Sequence, residues 1–393
     1  MKICDVTQFY SPLSGGVKRY VQEKIAFIQA ARPKDEHVLI VPGAKSECIV
    51  AERSRIYTIR SPLVSRATQY RALLDLRALG QIIEKERPDV IESADPYQVG
   101  WKAMAVGRLH EIPVVGFYHS HFTEAYLRRP AERFRAAGGK LLIDGAHAYL
   151  RALYNRFDTT LVPSRGLLAE LQRCGVRNAR QVDLGVNTAV FTLRNDSAAV
   201  RLHLGVPAES SLLLYVGRLA QEKNTATLFQ AFKLLSATVC PNIHLLVIGD
   251  GQEREALQEL IGATAAVTWI PYCADAEELA RYYWAADLFV HPGVQETFGL
   301  VALESQACGT PVVGIRGTNL DDVILHSQST WATENTPAAL AGAIERTLAL
   351  PSAEIGAAAA GLVAERFAWR GVFQRLFAIY REVSARYRET PPA

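Results

Sequence analysis

The sequence has no long hydrophobic run. No apolar stretch reaches the roughly 18 residues that a membrane-spanning helix requires. The opening residues MKICDVTQFYSPLSGG include an acidic Asp5 and lack the apolar segment of a signal peptide. Internal repeats and low-complexity segments are also absent. With 49% hydrophobic and 21% charged residues, the composition is typical of a soluble globular protein, which we expect to be cytoplasmic.

The six cysteines have no metal-binding or disulfide pattern. None forms a C-x-x-C pair and none lies near paired histidines, so we predict reduced thiols and no metal site. The segment VIGDGQER, residues 247–254, contains G-x-G but lacks the third glycine of the dinucleotide fingerprint. This lack argues against a dehydrogenase. The sequence also has no zinc-finger, RNP or basic-helix signature, which argues against a nucleic-acid partner.

Charge is distributed unevenly along the chain. Residues 1–195 contain 29 Lys and Arg against 19 Asp and Glu, a net charge of +10, while the remainder contains 14 against 21, a net charge of −7. A basic first half suggests an anionic partner, either a phosphate-bearing substrate or an anionic membrane surface. A solvated basic face with no partner is the alternative.

Short apolar runs alternate with helix-length amphipathic stretches. This alternation predicts βαβ units and parallel sheets, and it runs through each half of the chain separately. The polar TLRNDS after LGVNTAVF, residues 184–191, marks a boundary. We therefore expect two doubly wound α/β domains that face each other, over 1–190 and 191–371, with ligands bound in the cleft between them. The predicted strands are KICDV, HVLIV, DVIES, VVGFYH and TTLVPS in the first half, and LLLYVG, IHLLVIG, AVTWI, LFVHP and TPVVGI in the second.

Two glutamates flank a predicted helix start in ETFGLVALESQACGTPVVG, residues 296–314. The helix should begin near Phe298 and Gly299 and stop at Gly309, so that its first N–H groups, including that of Leu300, suit an anion or hydroxyls. Glu304 lies about 9 Å along the helix axis. Because a ligand that touches both Glu296 and Glu304 must be long, the spacing favours a nucleotide sugar. The alternative is that Glu296 caps the helix and Glu304 lies on the surface.

Three further segments follow predicted strands. In LYVGRLAQEKN, Arg218 and Lys223 lie five positions apart at a turn, where two cations could grip a diphosphate or form a solvated basic pair. Gly15 and Gly16 precede a helix and could form a phosphate- or sugar-binding loop. VVGFYHSHF ends in His119 and His121; one cleft-facing histidine could donate a hydrogen bond to a sugar, and either could instead be structural.

Taken together, these segments resemble retaining glycosyltransferases of the GT-B fold, specifically family 4. The resemblance covers nearly the whole chain. The resemblance rests on the glycine pair, the strand-end histidine, VPSRGLLAEL, GVNTAVF, GRLAQEKN, GDGQER, YYWAADLFVHP and E-x7-E with GTPVVG. It implies a first domain that binds the acceptor, a second that binds the donor, and a terminal helix, about 372–393, that crosses back onto the first domain.

The resemblance also assigns the donor-binding residues. Arg218 and Lys223 would hold the donor diphosphate, so that no metal or other cofactor is needed, and Glu304 would bind the ribose hydroxyls. Glu296 would act in catalysis and hold the donor sugar, together with the amides of Phe298, Gly299 and Leu300.

The remaining assignments lie on both predicted domains. Gly15 and Gly16 would close over the diphosphate or the acceptor side, and His119 would touch the donor sugar near the reacting carbon, which makes it the second catalytic residue. Tyr272 and Cys273 would meet the base, largely through their backbone. The sequence departs from the family pattern at Asn187, at His291-Pro292-Gly293 and at Ser305-Gln306. We expect none of these to touch the chemistry, but Gly293 and Gln306 could change the donor pocket.

The predicted function is transfer of a hexose from a UDP- or GDP-sugar to an acceptor hydroxyl. The segment 127–157 carries seven Lys or Arg among apolar residues, which suits a lipid or glycolipid acceptor and peripheral contact with the inner face of an anionic membrane. A soluble sugar or sugar-phosphate acceptor is the alternative. A nucleotide-sugar epimerase and a non-enzymatic nucleotide-sugar sensor are the competing functions.

Overall fold

The computed structural model describes residues 1–11, 15–65, 69–119, 136–194, 198–238 and 242–389. The chain divides into two compact units, which we call unit 1 (Met1–Leu184 with Trp369–Ala393) and unit 2 (Gly185–Ala368). The division falls a few residues before the predicted boundary at 190, because the segment after Leu184 already belongs to unit 2. There the N–H of Val186 donates to Phe367 O at 2.8 Å.

Unit 1 contains an eight-stranded sheet in the order β3-β4-β2-β1-β5-β6-β7-β8. All neighbouring strands are parallel except β3, which pairs antiparallel with β4. The central strands are buried on both faces, as parallel sheets between helices require. The strands are β1 Lys2–Val6, β2 Glu36–Gly43, β3 Glu47–Val50, β4 Ser54–Arg60, β5 Val90–Ser93, β6 Val114–Phe117, β7 Thr159–Val162 and β8 Ala179–Gln181.

The helices of unit 1 include the last helix of the chain. That helix begins at Trp369, slightly before the predicted 372, and packs against α1 within unit 1 through ring contacts such as Phe27–Phe377 at 5.5 Å. The helices are α1 Gly16–Ala31, α2 Leu76–Glu86, α3 Gln98–Leu109, α4 Ala136–Tyr154, α5 Arg165–Arg173 and, at the C-terminus, Trp369–Glu389, numbered α13 below.

Unit 2 contains a five-stranded parallel sheet in the order β11-β10-β9-β12-β13. The strands are β9 Ser211–Val216, β10 Ile243–Ile248, β11 Val267–Ile270, β12 Leu288–His291 and β13 Val312–Gly314. The helices are α6 Ala198–His203, α7 Thr225–Thr238, α8 Arg254–Ala263, α9 Ala276–Ala285, α10 Leu300–Ala307, α11 Pro337–Leu348 and α12 Ser352–Phe367, with 3-10 turns at Gln221–Lys223 and Asn319–Asp322.

The ten predicted strands are confirmed, and the described residues form three more that were not predicted: β3, β8 and, between β3 and β2, β4. All four residues of β3 are exposed, so this edge strand lacks the apolar pattern on which the prediction depended. β8 has only three residues, all half-buried. Both lie at an edge of the sheet, where one neighbour suffices and burial is weak.

No single helix among the described residues is long and apolar enough to span a membrane, although α11 and α12 meet that criterion together as a pair bent by 95°. His121 and the basic residues of 127–135 lie outside the described residues.

Candidate functional site

The predicted donor residues lie at the carboxyl edge of the unit 2 sheet. β9 ends at Val216 and leads through Gly217 into the turn that carries Arg218 and Lys223. The neighbouring strand β12 ends at His291, and Glu296 follows before α10. Because β9 and β12 are adjacent and parallel, the two segments meet at the same edge, where open α/β sheets bind ligands.

Glu296 forms the centre of an ionic cluster at this edge. Its Oε1 accepts a hydrogen bond from the Lys223 ammonium, although the two residues are 73 positions apart. His291 Nε2 lies 3.5 Å from the same oxygen, and Asn319 Nδ2 donates to the backbone carbonyl of Glu296 at 2.8 Å. The structure thus brings together two predicted site residues, Glu296 and Lys223, with a histidine.

The cluster keeps Glu296 ionised. Burial alone would raise the pKa of this carboxyl group, but the charge of Lys223 and the contact with His291 lower the pKa well below its usual range. The Glu296 side chain is 11% exposed and that of Lys223 28% exposed. A ligand can therefore reach the cation while Glu296 stays a carboxylate that accepts hydrogen bonds.

Arg218 extends into solvent beside the cluster. Its side chain is 62% exposed and Nη2 lies 2.9 Å from Glu222 Oε1. The hydroxyl of Tyr215 donates to Arg218 O at 2.9 Å and so fixes the backbone of the turn. Both predicted diphosphate cations are therefore present at this edge, and each is paired with a carboxylate.

The helix start lies close to where the sequence predicted it. α10 begins at Leu300, and its N-cap residue Gly299 has φ +94°, a left-handed conformation that favours glycine. A Cβ at Gly299 would collide with Leu320 Cδ1. Phe298 is buried against Phe367, with ring centroids 5.9 Å apart. No side chain caps this helix, so the alternative that Glu296 is its N-cap is wrong.

Glu304 is buried rather than on the surface. Its side chain lies on α10 with the residue 2% exposed, and the hydroxyl of Tyr283 donates to Oε2 at 3.2 Å. Burial excludes the surface alternative. A buried carboxylate needs hydrogen-bond partners, and the Tyr283 hydroxyl is one of them.

Tyr272 and Cys273 follow β11, an edge strand of the unit 2 sheet that is separated from β9 by β10. The Tyr272 side chain is exposed. Cys273 Sγ lies 3.3 Å from Asp275 O and 3.7 Å from Glu278 Oε2. Burial, aided by the negative charge of Glu278, raises the pKa of this thiol to about 11, so it stays protonated and is a weak nucleophile.

Gly15, Gly16 and His119 belong to unit 1. Gly15 is the N-cap of α1, where φ is −88°, and Gly16 is the first residue of the helix. Among the described residues, no atom lies within 4 Å of a Cβ built at Gly15. Packing in the described part of the chain therefore does not require this glycine, whereas a ligand-binding loop would use its open space.

His119 follows β6 and lies between aromatic rings. Its ring stacks on Phe117 at 3.8 Å and meets the edge of Tyr20 at 5.1 Å. Burial lowers the pKa of His119 to about 3, and the positive charge of Lys24 adds to this effect. The imidazole is therefore neutral, and its buried Nε2 has no hydrogen-bond partner among the described residues.

Two of the residues that depart from the family pattern, His291 and Gln306, make defined side-chain contacts. His291 contacts a predicted site residue, because its Nε2 lies 3.5 Å from Glu296 Oε1; its position at the end of an apolar strand was the available signal. Gln306 is fully buried, and its side-chain amide bonds Ala302 O, Val323 O and the N–H of Leu325. These contacts give Gln306 a role in packing α10.

Sequence reasoning also missed a buried cluster around Lys24 in unit 1. Lys24 Nζ bonds Asp5 Oδ1 at 2.9 Å, Glu92 Oε1 at 3.0 Å and the Tyr380 hydroxyl at 3.0 Å. The available signal was a lysine four residues after Tyr20, on the buried face of α1. In the described part of the chain, no group of three or more His, Cys, Asp or Glu side chains could hold a metal ion.

Comparison with known protein families matches both units. Residues 14–190 match the model described as Glycosyltransferase Family 4, and residues 198–359 match the model described as Glycosyl transferases group 1.

Three individual proteins illustrate the similarity. The chain is 30% identical over 363 residues to the GDP-mannose-dependent alpha-(1-6)-phosphatidylinositol dimannoside mannosyltransferase of Mycobacterium tuberculosis, covering 89% of this chain and 88% of the relative. It is 31% identical over 313 residues to the D-inositol 3-phosphate glycosyltransferase of Thermobispora bispora, covering 75% and 70%. A sucrose-phosphate synthase structure from Thermosynechococcus elongatus superimposes with a TM-score of 0.80 at 22% identity, over 98% of this chain and 99% of the other.

Proposed function

The chain belongs to glycosyltransferase family 4 and has the GT-B fold, so it is a glycosyltransferase, and we infer that it transfers a hexose from a nucleotide-diphosphate sugar, with retention of configuration. The observation that carries the proposal is the cluster of Lys223, Glu296 and His291 at the carboxyl edge of the unit 2 sheet. It combines a reachable cation with an ionised carboxylate, the two groups that a diphosphate and a sugar need.

The donor is a GDP- or UDP-sugar, and GDP-mannose is the first to test. The Mycobacterium tuberculosis relative is named as GDP-mannose-dependent, which supports this order. The base would lie along Tyr272 and Cys273, and the ribose hydroxyls would bond Glu304.

In the proposed mechanism, Lys223 changes partner. The incoming diphosphate attracts its ammonium away from Glu296, and Arg218 away from Glu222, since two negative phosphates bind cations more strongly than one carboxylate does. Both cations then stabilise the charge that grows on the leaving diphosphate, so no metal is required. Glu296 keeps His291 as its neighbour and orients the sugar.

The transfer step itself uses groups that the substrates supply. The glycosyl bond of the donor breaks toward an oxocarbenium ion, and the electron pair leaves with the diphosphate. The acceptor oxygen bonds to the anomeric carbon on the same face, and its proton passes to the leaving phosphate. His119, held neutral, donates a hydrogen bond to the donor sugar or accepts one from it.

Release of nucleoside diphosphate by the purified protein tests the proposal. GDP-, UDP- and ADP-sugars are compared, with and without EDTA, and we expect release from one of the first two to be unaffected by EDTA. Lys223→Ala and Arg218→Ala should each lower turnover at saturating donor about 10²–10³-fold, the loss typical of a charge-stabilising group. Wild-type turnover in either variant at saturating donor would refute the diphosphate assignment.

For the acceptor, the first choice is a lipid-linked sugar or polyol. The net charge of +10 in residues 1–195 suits an anionic membrane surface, and the Mycobacterium tuberculosis relative is named for a phosphatidylinositol dimannoside. Co-sedimentation with vesicles of anionic and of neutral lipid measures this directly. Binding to anionic vesicles at low salt that weakens at high salt is expected, and no binding at low salt would reject the membrane role.

A soluble sugar phosphate is the second candidate acceptor. The similarity to a protein named D-inositol 3-phosphate glycosyltransferase favours it. Transfer to D-inositol 3-phosphate in the absence of lipid would support this candidate over the first.

A further inference from the structure

Three buried polar atoms at the carboxyl edge of the unit 1 sheet have no hydrogen-bond partner among the described residues. They are Ser93 Oγ, Asp95 Oδ1 and His119 Nε2. Ser93 and Gly116 are opposite each other in the adjacent strands β5 and β6, so Asp95 and His119 both follow the ends of these strands at one edge. Buried polar atoms are nearly always hydrogen-bonded, and a bound ligand would supply the missing partners.

One carboxylate oxygen of Asp95 accepts a hydrogen bond and the other has no partner among the described residues. Its Oδ2 accepts the N–H of Gln8 at 2.8 Å, and the residue is 1% exposed. The loop that follows is fixed by the Tyr149 hydroxyl, which donates to Pro96 O at 2.5 Å. The structure therefore presents Oδ1 as an acceptor in a rigid setting, which is how a preorganised binding group is built.

An aromatic cluster is formed by Phe9, Tyr70 and Tyr97, two of which are close in sequence to Gln8 and Asp95. The ring of Phe9 lies 5.9 Å from that of Tyr97 and 6.3 Å from that of Tyr70, and all three residues are half-buried. Phe9 is next in sequence to Gln8, and Tyr97 is two residues after Asp95. Aromatic faces beside a few fixed polar groups are typical of small-molecule sites, and they suit a ring with an apolar face and hydroxyls at its rim.

We propose that Asp95 binds the acceptor, its Oδ1 accepting a hydrogen bond from a hydroxyl of a sugar or inositol ring that packs on Phe9 and Tyr97. The inference rests on the proposed function and assigns the acceptor side of it. The chemistry of transfer is unchanged: the acceptor oxygen bonds to the anomeric carbon, the bond to phosphate breaks, and that phosphate takes the proton. Asp95 positions the hydroxyl and takes no part in the proton transfer.

The site has a characteristic dependence on pH. Burial raises the pKa of Asp95 to about 7, although hydrogen bonds from Gln8 and Thr7 lower it in part. The titratable neighbour Tyr154 stays neutral, because burial, with Asp95 and three other tyrosines nearby, raises its pKa well above its usual value. A protonated Oδ1 would donate rather than accept, so acceptor affinity should fall as the pH falls through about 7.

The experiment compares wild type with Asp95→Asn, using GDP-mannose as donor. D-inositol 3-phosphate and detergent-solubilised phosphatidylinositol serve as acceptor probes, which separate a soluble phosphate from a lipid. We expect at least a tenfold loss of transfer in Asp95→Asn through a raised acceptor KM, with acceptor-free GDP release within twofold of wild type. The wild-type acceptor KM should rise severalfold from pH 8 to pH 6 and be flat in the variant.

Asp158→Asn is the matched control. Asp158 Oδ2 also accepts a hydrogen bond from a backbone N–H, that of Val114 at 2.7 Å. This contact lies at the amino ends of β6 and β7, away from the carboxyl ends where Asp95 lies. This variant should transfer like wild type.

Four results would overturn the inference. Two concern Asp95→Asn: transfer within twofold of wild type, or an equal loss of transfer and of acceptor-free GDP release. The other two concern wild type: an acceptor KM that is constant from pH 6 to 8, or GDP release with transfer to neither probe. The third needs no variant and decides the matter if Asp95→Asn does not fold. Absence of nucleoside diphosphate release by wild type from both GDP- and UDP-sugars would instead count against the proposed function.

Discussion

Replacing Lys24 with methionine should destabilise unit 1, because two buried carboxylates lose their cation. Lys24 is fully buried and bonds Asp5 and Glu92, whose side chains are 4% and 3% exposed. Asp5 keeps a second partner, since His37 Nε2 lies 2.8 Å from Asp5 Oδ2. Glu92 keeps hydroxyl partners such as Tyr380 but loses its charge partner, so most of the effect falls on Glu92.

The expected loss is about 3–5 kcal/mol of unfolding free energy at pH 7, the usual cost of removing one partner from a buried ion pair. Its pH dependence has a defined sign. Burial raises the pKa of Glu92 even with Lys24 in place, and without Lys24 that pKa rises further. The folded variant then binds a proton that the unfolded chain releases. Its deficit should therefore shrink, by at most about 1.4 kcal/mol per pH unit, as the pH falls from the Glu92 pKa of the folded variant to the lower Glu92 pKa of the folded wild type, below which both folded proteins bind the proton.

Urea unfolding followed by tryptophan fluorescence measures this loss, with the two units treated as separate transitions. Arg180→Ala is the control, because Arg180 and Glu382 form an exposed pair at 2.8 Å in the same unit, and such pairs contribute at most about 1 kcal/mol. A Lys24→Met protein as stable as the control at pH 7, or a deficit that grows as the pH falls, would refute the reasoning.

Three further predictions concern the candidate site. Gly299→Ala should cost about 1–3 kcal/mol, because φ is +94° and the new Cβ meets Leu320; an unchanged melting temperature of unit 2 would contradict this. Glu222→Gln frees Arg218 and should lower the donor KM severalfold at low salt, an advantage that disappears at high salt. Because the pKa of His119 is about 3, His119→Asn should lower turnover without changing the shape of the pH–turnover profile from pH 5 to 8. A titration near pH 6.5 that is present in the wild-type profile and disappears in the variant would contradict a neutral imidazole.

Periodicity predicted the fold where strands are buried on both faces. β9, β10 and β12 are continuous apolar runs because parallel strands between helices have no polar face. β3 could not be found in the same way, since all four of its residues are exposed and its position depends on pairing with β4. Strand pairing of this kind is decided by the tertiary structure rather than by the local sequence.

The sequence predicted which residues at the strand ends belong to the site, but not which of them contact each other. Glu296 and Lys223 were both expected to meet a ligand, yet nothing in the sequence shows that they meet each other across 73 positions. His291 was expected to lie away from the chemistry. Its role depends on the rotamers that point its Nε2 and the Glu296 carboxylate toward each other.

The cluster around Lys24 marks the limit of sequence reasoning most clearly. Lys24 and Tyr380 are 356 positions apart and meet only because α13 packs against α1. A lysine on a helix is usually solvated, so its burial follows from the carboxylates that β1 and β5 bring beneath it.

The central claim is that this chain transfers a hexose from a nucleotide-diphosphate sugar with retention, and the NMR spectrum of an ongoing reaction tests it most directly. With GDP-mannose and a mixture of D-inositol 3-phosphate and phosphatidylinositol, the account predicts that GDP appears together with one new glycoside of the donor's α configuration. Lys223→Ala should slow both signals together. A product of β configuration, or a donor that wild-type protein leaves unchanged when GDP- and UDP-sugars are each supplied, would contradict it.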